Sequence, residues 1–181
     1  IKPLITYGAK AFHFSSNQNN YFKAITKLNL ETIPKNSIVF LSFGEIDCRP
    51  TEGFLGAVKK QKISIQHLIA KVVKKYVNWF LEQNKRNTHK FYFINLPAPI
   101  YNFELSPKKN NAVANCISLF NSELESAAKK FDLRIIDVFT TTKNSDGFTD
   151  GIYNLDMRHL SLKIMPEIER QLNSPGLYNG N

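Results

Sequence analysis

The fold this sequence predicts is an α/β/α three-layer sandwich, and three observations predict it. Short runs that are apolar throughout alternate with long amphipathic helical patterns. A strand apolar on both sides is buried on both faces, which is the mark of a parallel sheet covered by helices above and below. The 181 residues, 43% of them hydrophobic, suffice for one full core and are too few for two. No repeat of fixed period and no low-complexity tract breaks the alternation. Residues 1–181 are therefore read as a single domain.

Taken in order, Leu4, Ile5, Thr6 and Tyr7, stopped by Gly8, read as an opening strand. A short helix comes next near Tyr21, with Phe22, Ile25 and Leu28 on one face. Residues 37–43 are almost unbroken apolar up to Gly44 and read as a strand buried on both faces. From Ser64, a helix-capping residue type, apolar side chains recur at Ile65, Leu68, Ile69, Val72, Val73, Tyr76, Phe80 and Leu81, with Lys71, Lys74 and Lys75 opposite. Residues 90–96, stopped by Pro97, give the next strand. Val113, Cys116, Ile117, Phe120, Leu124, Ala127 and Phe131 then mark a long helix. Residues 133–138 read as another strand, residues 140–154 as a loop inside the domain, and Ile164, Met165, Ile168 and Leu172 as the last helix.

Several functional classes are excluded at this stage. The net charge of +9 comes from lysines scattered over several elements, without the arginine and aromatic interleaving of a base-reading surface, so no specific nucleic-acid partner is expected. No apolar run is long enough to span a membrane, and the first residues lack the order of a signal peptide. Cys48 and Cys116 stand in unlike surroundings and are read as free thiols, which favours a reducing, cytoplasmic location. His13, His67 and His89 lack zinc spacing, the Asp146 segment lacks a calcium-loop register, and no phosphate-binding glycine pattern stands after a strand. No metal and no cofactor are expected.

In open parallel sheets, ligands bind outside the carboxyl ends of the strands, so chemistry is sought in the segment just after each strand. After residues 37–43 come Gly44, Glu45, Asp47, Cys48 and Arg49, two carboxylates and a guanidinium crowded together. Such charges are costly to assemble unless they pair or serve a ligand. Asn95 ends the next strand. Near the C-terminus, Asp156 stands three residues ahead of His159. That spacing brings a carboxylate to the imidazole Nδ1–H, fixing the tautomer and leaving Nε2 as a general base.

In this order and on this fold, the two segments resemble the SGNH/GDSL hydrolase superfamily. Asp156 and His159 match its closing D-x-x-H block, Gly44 and Asp47 match the ends of G-x-N-D, and Gly8 stands where the second block falls. Residues 43–49 are similar to an F-G-E-[IV]-D-C-R variant of a bacterial branch. The resemblance implies a mostly parallel, flavodoxin-like sheet and serine ester hydrolysis of an acyl group on a carbohydrate or other polar small molecule. It assigns His159 as base, Asp156 as its orienter, Gly8 as a backbone oxyanion donor, and Gly44, Glu45, Asp47 and Arg49 to the site. Ile46 replaces the Asn of G-x-N-D and has no side-chain donor, so Arg49, Asn95 or a backbone N–H must serve instead.

No Gly-Asp-Ser occurs in the sequence. Because the chain opens where the second block begins, the domain is read as N-terminally incomplete and inactive without its nucleophile block. Ser15 and Ser16 border the site region, Ser42 is expected inside a buried strand, and Ser64 and Ser161 read as helix caps. Cys48 lies near carboxylates that disfavour its thiolate. The alternative is a non-catalytic ligand-binding module on the same fold.

Overall fold

The computed structural model describes residues 2–85 and 88–174. Three parallel strands, β1 (Ile38–Leu41), β2 (Lys90–Ile94) and β3 (Arg134–Ile136), stand side by side in chain order. Ile38 pairs with Lys90 and Leu41 with Phe93, and Tyr92 pairs in turn with Arg134. The helices are α1 (Ala11–Ser15), α2 (Tyr21–Glu31), α3 (Phe54–Gln61), α4 (Ile65–Asn84), α5 (Pro107–Lys130), α6 (Val138–Thr142) and α7 (Met165–Asn173).

Alternation along the strands assigns the layers. Val39, Leu41, Phe91, Phe93 and Ile135 point to one face and join the large core with α1, α4 and α5. Phe40, Tyr92, Ile94 and Ile136 point to the other, where Ile164 and Ile168 at the start of α7 and within it form a smaller cluster. This is the three-layer α/β arrangement expected. The large core is aromatic at its centre: Phe14 of α1 lies 4.8 Å from Phe43 and 5.1 Å from Phe80, ring centre to ring centre.

Helix formation obeys the pattern closely. Ser64 caps α4, its Oγ accepting from the His67 N–H, and Leu68, Ile69, Val72, Val73, Tyr76, Val77 and Phe80 form the buried stripe. Asn20 caps α2 through the Lys23 N–H. α5 starts on Pro107, whose missing N–H costs nothing at a first helical position. Asn121, polar on the buried face of α5, accepts from the Leu96 N–H and donates to the Leu96 carbonyl, both at 2.8 Å, satisfying backbone just beyond the end of β2.

Three expectations need correction. Residues 4–7 form no strand: Ile5 and Tyr7 are exposed, and Thr6 Oγ1 is hydrogen-bonded to Thr26 Oγ1 of α2, so this short run leans on a helix instead of the sheet. Val138, expected in a strand, starts α6, because Asn95 Oδ1 accepts from the Val138 and Phe139 N–H groups at 2.8 and 3.0 Å and draws the chain out of the ladder. Ser42, expected buried, is exposed just past β1. The short helices α1 and α3 were not anticipated. No described helix is long and apolar enough to cross a membrane.

Candidate active site

Beyond β1 the chain must turn sharply beneath α5, and Gly44 allows it. Its φ is +123°, and a Cβ there would lie 2.4 Å from Cζ of the buried Phe120 ring. A 3-10 turn, Ile46–Cys48, comes next. Its carboxylates go opposite ways. Glu45 faces outward and takes a forked pair from Arg49, with Nη2 to Oε2 at 2.7 Å and Nε to Oε1 at 3.0 Å; Arg49 also reaches Glu52. Asp47 faces inward, 1% exposed, and its oxygens accept from the Ala11 N–H at 2.7 Å and the Phe12 N–H at 3.1 Å. It therefore caps α1 from 36 residues away and presses Phe14 into the core. Cys48 is buried against Cys116, and burial together with that thiol raises its pKa well above the usual value.

Burial pushes the Asp47 carboxyl up to about 6, against the opposing pull of the Phe12 and Ala11 N–H groups and the Lys10 charge. Linkage fixes the sign. A carboxyl raised in the folded state adds stability that is complete below its ordinary value of 3.8 and is lost as pH rises through about 6. Wild type should therefore gain on the order of 1 kcal/mol over Asp47→Asn on moving from pH 7.5 to pH 5. Urea unfolding of both proteins at the two pH values measures this. A gap that does not change with pH would place the Asp47 carboxyl outside the buried environment described.

The second segment is a tight loop. Asn154 and Leu160 form an antiparallel bridge, closed by the Leu155 N–H donating to the His159 carbonyl at 2.8 Å. At its tip, Asp156 Oδ1 accepts from the Arg158 and His159 N–H groups at 2.7 and 2.8 Å, and Oδ2 lies 2.7 Å from His159 Nδ1. The His159 hydrogen bond, with the two backbone N–H groups second to it, holds the Asp156 carboxyl down at about 2. Asp156 is thus an ionised, acceptor-only group at neutral pH. The proton of that contact sits on Nδ1, the tautomer that in a neutral imidazole leaves the lone pair on Nε2.

Between the two segments, beyond the carboxyl ends of β1 and β2, lies a cleft of about 210 Å³. Glu45 and Arg49 form one side, Asn154, Met157 and Arg158 the other, and Leu96, Ile117 and Phe148 contribute to the walls between. Segments from both ends of the chain thus meet at one sheet edge. His159 and Asp156 belong to the loop that borders the cleft without lining it, and both side chains are more than half exposed.

Other expected residues sit elsewhere. Gly8 lies in the turn before α1, outside the cleft walls, as do Gly44 and Asp47. Asn95 is 1% exposed and outside the cleft lining, with one amide N–H donated to Asp137 Oδ1 at 2.8 Å, so burial keeps it from a ligand in the cleft. Ser15 is buried, its hydroxyl donating to the Phe12 carbonyl, and Ser16 Oγ accepts from the Gln18 N–H. Sequence reasoning did not single out Arg158 or residues 96–100. The position of residues 96–100 after β2 was a usable signal, and Arg158 was legible as a variable position inside D-x-x-H. Among the described residues, no three His, Cys, Asp or Glu side chains gather as a metal site would require.

No family model matches the chain, and no curated protein matches it. Among solved structures, a protein from Bacteroides fragilis described as a "putative acylhydrolase" aligns over 86% of this chain and 96% of its own, with a TM-score of 0.50 and 13% identity. At that identity, the likeness establishes the shared α/β fold and nothing finer.

Proposed function

We propose that this chain is an SGNH-type serine ester hydrolase domain in which His159 acts as general base and Asp156 as its orienter. The observation that carries the proposal is the 2.7 Å contact between an ionised Asp156 and His159 Nδ1, on a loop bordering the cleft shared with Glu45 and Arg49. An imidazole so held presents Nε2 to take a proton from a hydroxyl and return it to a leaving alcohol. The family resemblance gives Gly8 as the backbone oxyanion donor, although it stands in the turn before α1, outside the cleft walls. Glu45 and Arg49 shape the cleft wall, while Gly44, Asp47 and Asn95 position the segments around it. The likeness to the Bacteroides fragilis protein supports an acylhydrolase reading at the level of fold.

The serine would be supplied by residues preceding Ile1. This chain by itself is then expected to show negligible turnover of a p-nitrophenyl ester and no labelling by a fluorophosphonate, because a base without its nucleophile retains only binding contributions. A longer polypeptide carrying the upstream strand should label at serine and lose turnover in His159→Ala. Labelling of Ser42, exposed just past β1, would move the nucleophile into this chain. No labelling of the longer polypeptide would sink the hydrolase assignment.

One observation favours a second reading, a non-catalytic binding module. Among the described residues, no serine is hydrogen-bonded to His159, and Ile46 brings no side-chain donor to the turn. The labelling result separates the two.

A further inference from the structure

The exit of β2 offers the cleft no backbone donor from residues 96–99. The Leu96 N–H is taken by Asn121 Oδ1 at 2.8 Å and the Ala98 N–H by Thr142 Oγ1 at 2.9 Å, and Pro97 and Pro99 have none. The side-chain acceptors of the lining are engaged as well: Glu45 by Arg49, Asn110 Oδ1 by the Asn102 N–H, Asn102 Oδ1 by the Glu104 N–H and Asn154 Oδ1 by the Thr149 hydroxyl. Three donors are left over. Among the described residues, neither the exposed Arg158 guanidinium nor the amide NH2 groups of Asn102 and Asn154 have a protein partner. The amide orientations follow from the opposite side of each group. Asn102 Oδ1 faces a backbone N–H at 2.9 Å, and Thr149 Oγ1, which accepts from the Gly151 N–H at 3.1 Å, has its own proton to give to Asn154 Oδ1 at 3.3 Å.

The fold holds the three donors in register. A parallel bridge between Ile100 and Thr149, with the Thr149 N–H donating to the Pro99 carbonyl at 3.0 Å, ties residues 99–102 to the segment that carries Asn154. The bridge between Asn154 and Leu160 closes the loop that carries Arg158. Asn110 of α5 is 3% exposed and pins Asn102 through its N–H and its carbonyl, both at 2.9 Å. All three line one cleft of about 210 Å³, so they address the same small space. Its charged lining residues are Glu45, Arg49 and Arg158, and with Arg49 spent on Glu45 and Glu52 the surplus is a single positive charge. Asp156, on the same loop as Arg158, is committed to His159 and two backbone N–H groups. A neutral hydroxyl brings a proton as well as lone pairs, whereas an oxyanion brings acceptors alone, and donors meeting a charged acceptor make the stronger bonds. We infer that the cleft recognises a singly charged oxyanion, a carboxylate or a phosphodiester, held by Arg158 with the Asn102 and Asn154 amides. This rests on the hydrolase reading and deepens it: an ester is itself neutral, so the substrate carries a negative charge apart from the bond cleaved.

NMR titration of the chain in low-salt buffer with acetate, dimethyl phosphate and their neutral counterparts acetamide and trimethyl phosphate tests this without turnover. At least one anion should bind about tenfold tighter than its neutral counterpart and shift the side-chain amide signals of Asn102 and Asn154. Acetate alone assigns a carboxylate, dimethyl phosphate alone a phosphodiester, and both together the charge they share. Arg158→Gln should weaken the bound anion about fivefold. Asn102→Asp and Asn154→Asp keep the oxygen that accepts from the Glu104 N–H or the Thr149 hydroxyl and put a negative charge in place of the donor, so each should weaken it about tenfold. Neutral counterparts that bind as tightly as both anions would overturn the inference. So would an anion affinity unchanged by Arg158→Gln, the mark of diffuse attraction to a chain of net charge +9. Serine labelling of the longer polypeptide without a preference for anions defeats this inference alone. Anion binding without labelling defeats the hydrolase reading alone.

Discussion

Gly53→Ala is expected to cost about 4 kcal/mol or more of folding stability, a large share of the roughly 5–15 kcal/mol that holds a domain folded. Gly53 precedes α3 with a negative φ, so a left-handed backbone is not what calls for glycine here. A Cβ at this position would lie 1.7 Å from the Asp47 carbonyl oxygen and 2.3 Å from its carbonyl carbon. Both are backbone atoms, and no rotamer change relieves them. The chain must move at residue 47 or at residue 53. Movement at 47 pulls the Asp47 carboxylate from the Ala11 and Phe12 N–H groups and loosens α1 from the aromatic core.

Gly56→Ala provides the control within the same helix. Its Cβ would make only an ordinary contact, 3.7 Å from the Thr51 carbonyl oxygen, so the variant should gain about 0.5–1 kcal/mol from helix propensity. Urea midpoints of the two variants should therefore move in opposite directions. A Gly53→Ala protein as stable as wild type would mean that residues 47 and 53 do not pack as closely as described.

The features readable from the sequence were those that depend on local or periodic information. The apolar runs around Phe40 and Tyr92 announced strands buried on both faces, and the 3.6-residue spacing from Ile65 to Phe80 announced α4 with its cap. The contact between Asp156 and His159 was readable for the same reason, since three residues and one turn determine it. Asp47 was not. Its partners are main-chain N–H groups 36 and 35 residues away, which carry no side-chain signature, so a carboxylate that caps α1 looked like one offered to a ligand. Asn95 misled in the same way, because its acceptors and donors belong to residues 137–139 on the neighbouring strand's exit. Leu4 to Tyr7 had the composition of a strand, but composition does not supply a neighbour, and Thr6 found α2. Polar residues at strand ends are ambiguous from sequence because the backbone and a ligand compete for them on equal chemical terms.

The local contact at the D-x-x-H loop carries the other large prediction. In the longer polypeptide, Asp156→Asn should lower kcat/KM for an ester by about 10³–10⁴, with KM nearly unchanged. The substitution keeps size and keeps an oxygen to accept from the Arg158 and His159 N–H groups, so the loop itself should survive. The change falls on the other atom. Where Oδ2 now accepts from Nδ1, an amide NH2 would stand, and it can only donate. His159 must then present its lone pair at Nδ1 and carry its proton on Nε2, which converts the base into a donor at the position meant to receive the nucleophile's proton. Thermal stability should shift by no more than a few degrees, since the Asp156 side chain is exposed. A loss of less than about tenfold in kcat/KM, with the fold intact, would show that Asp156 does not set the tautomer of a catalytic His159.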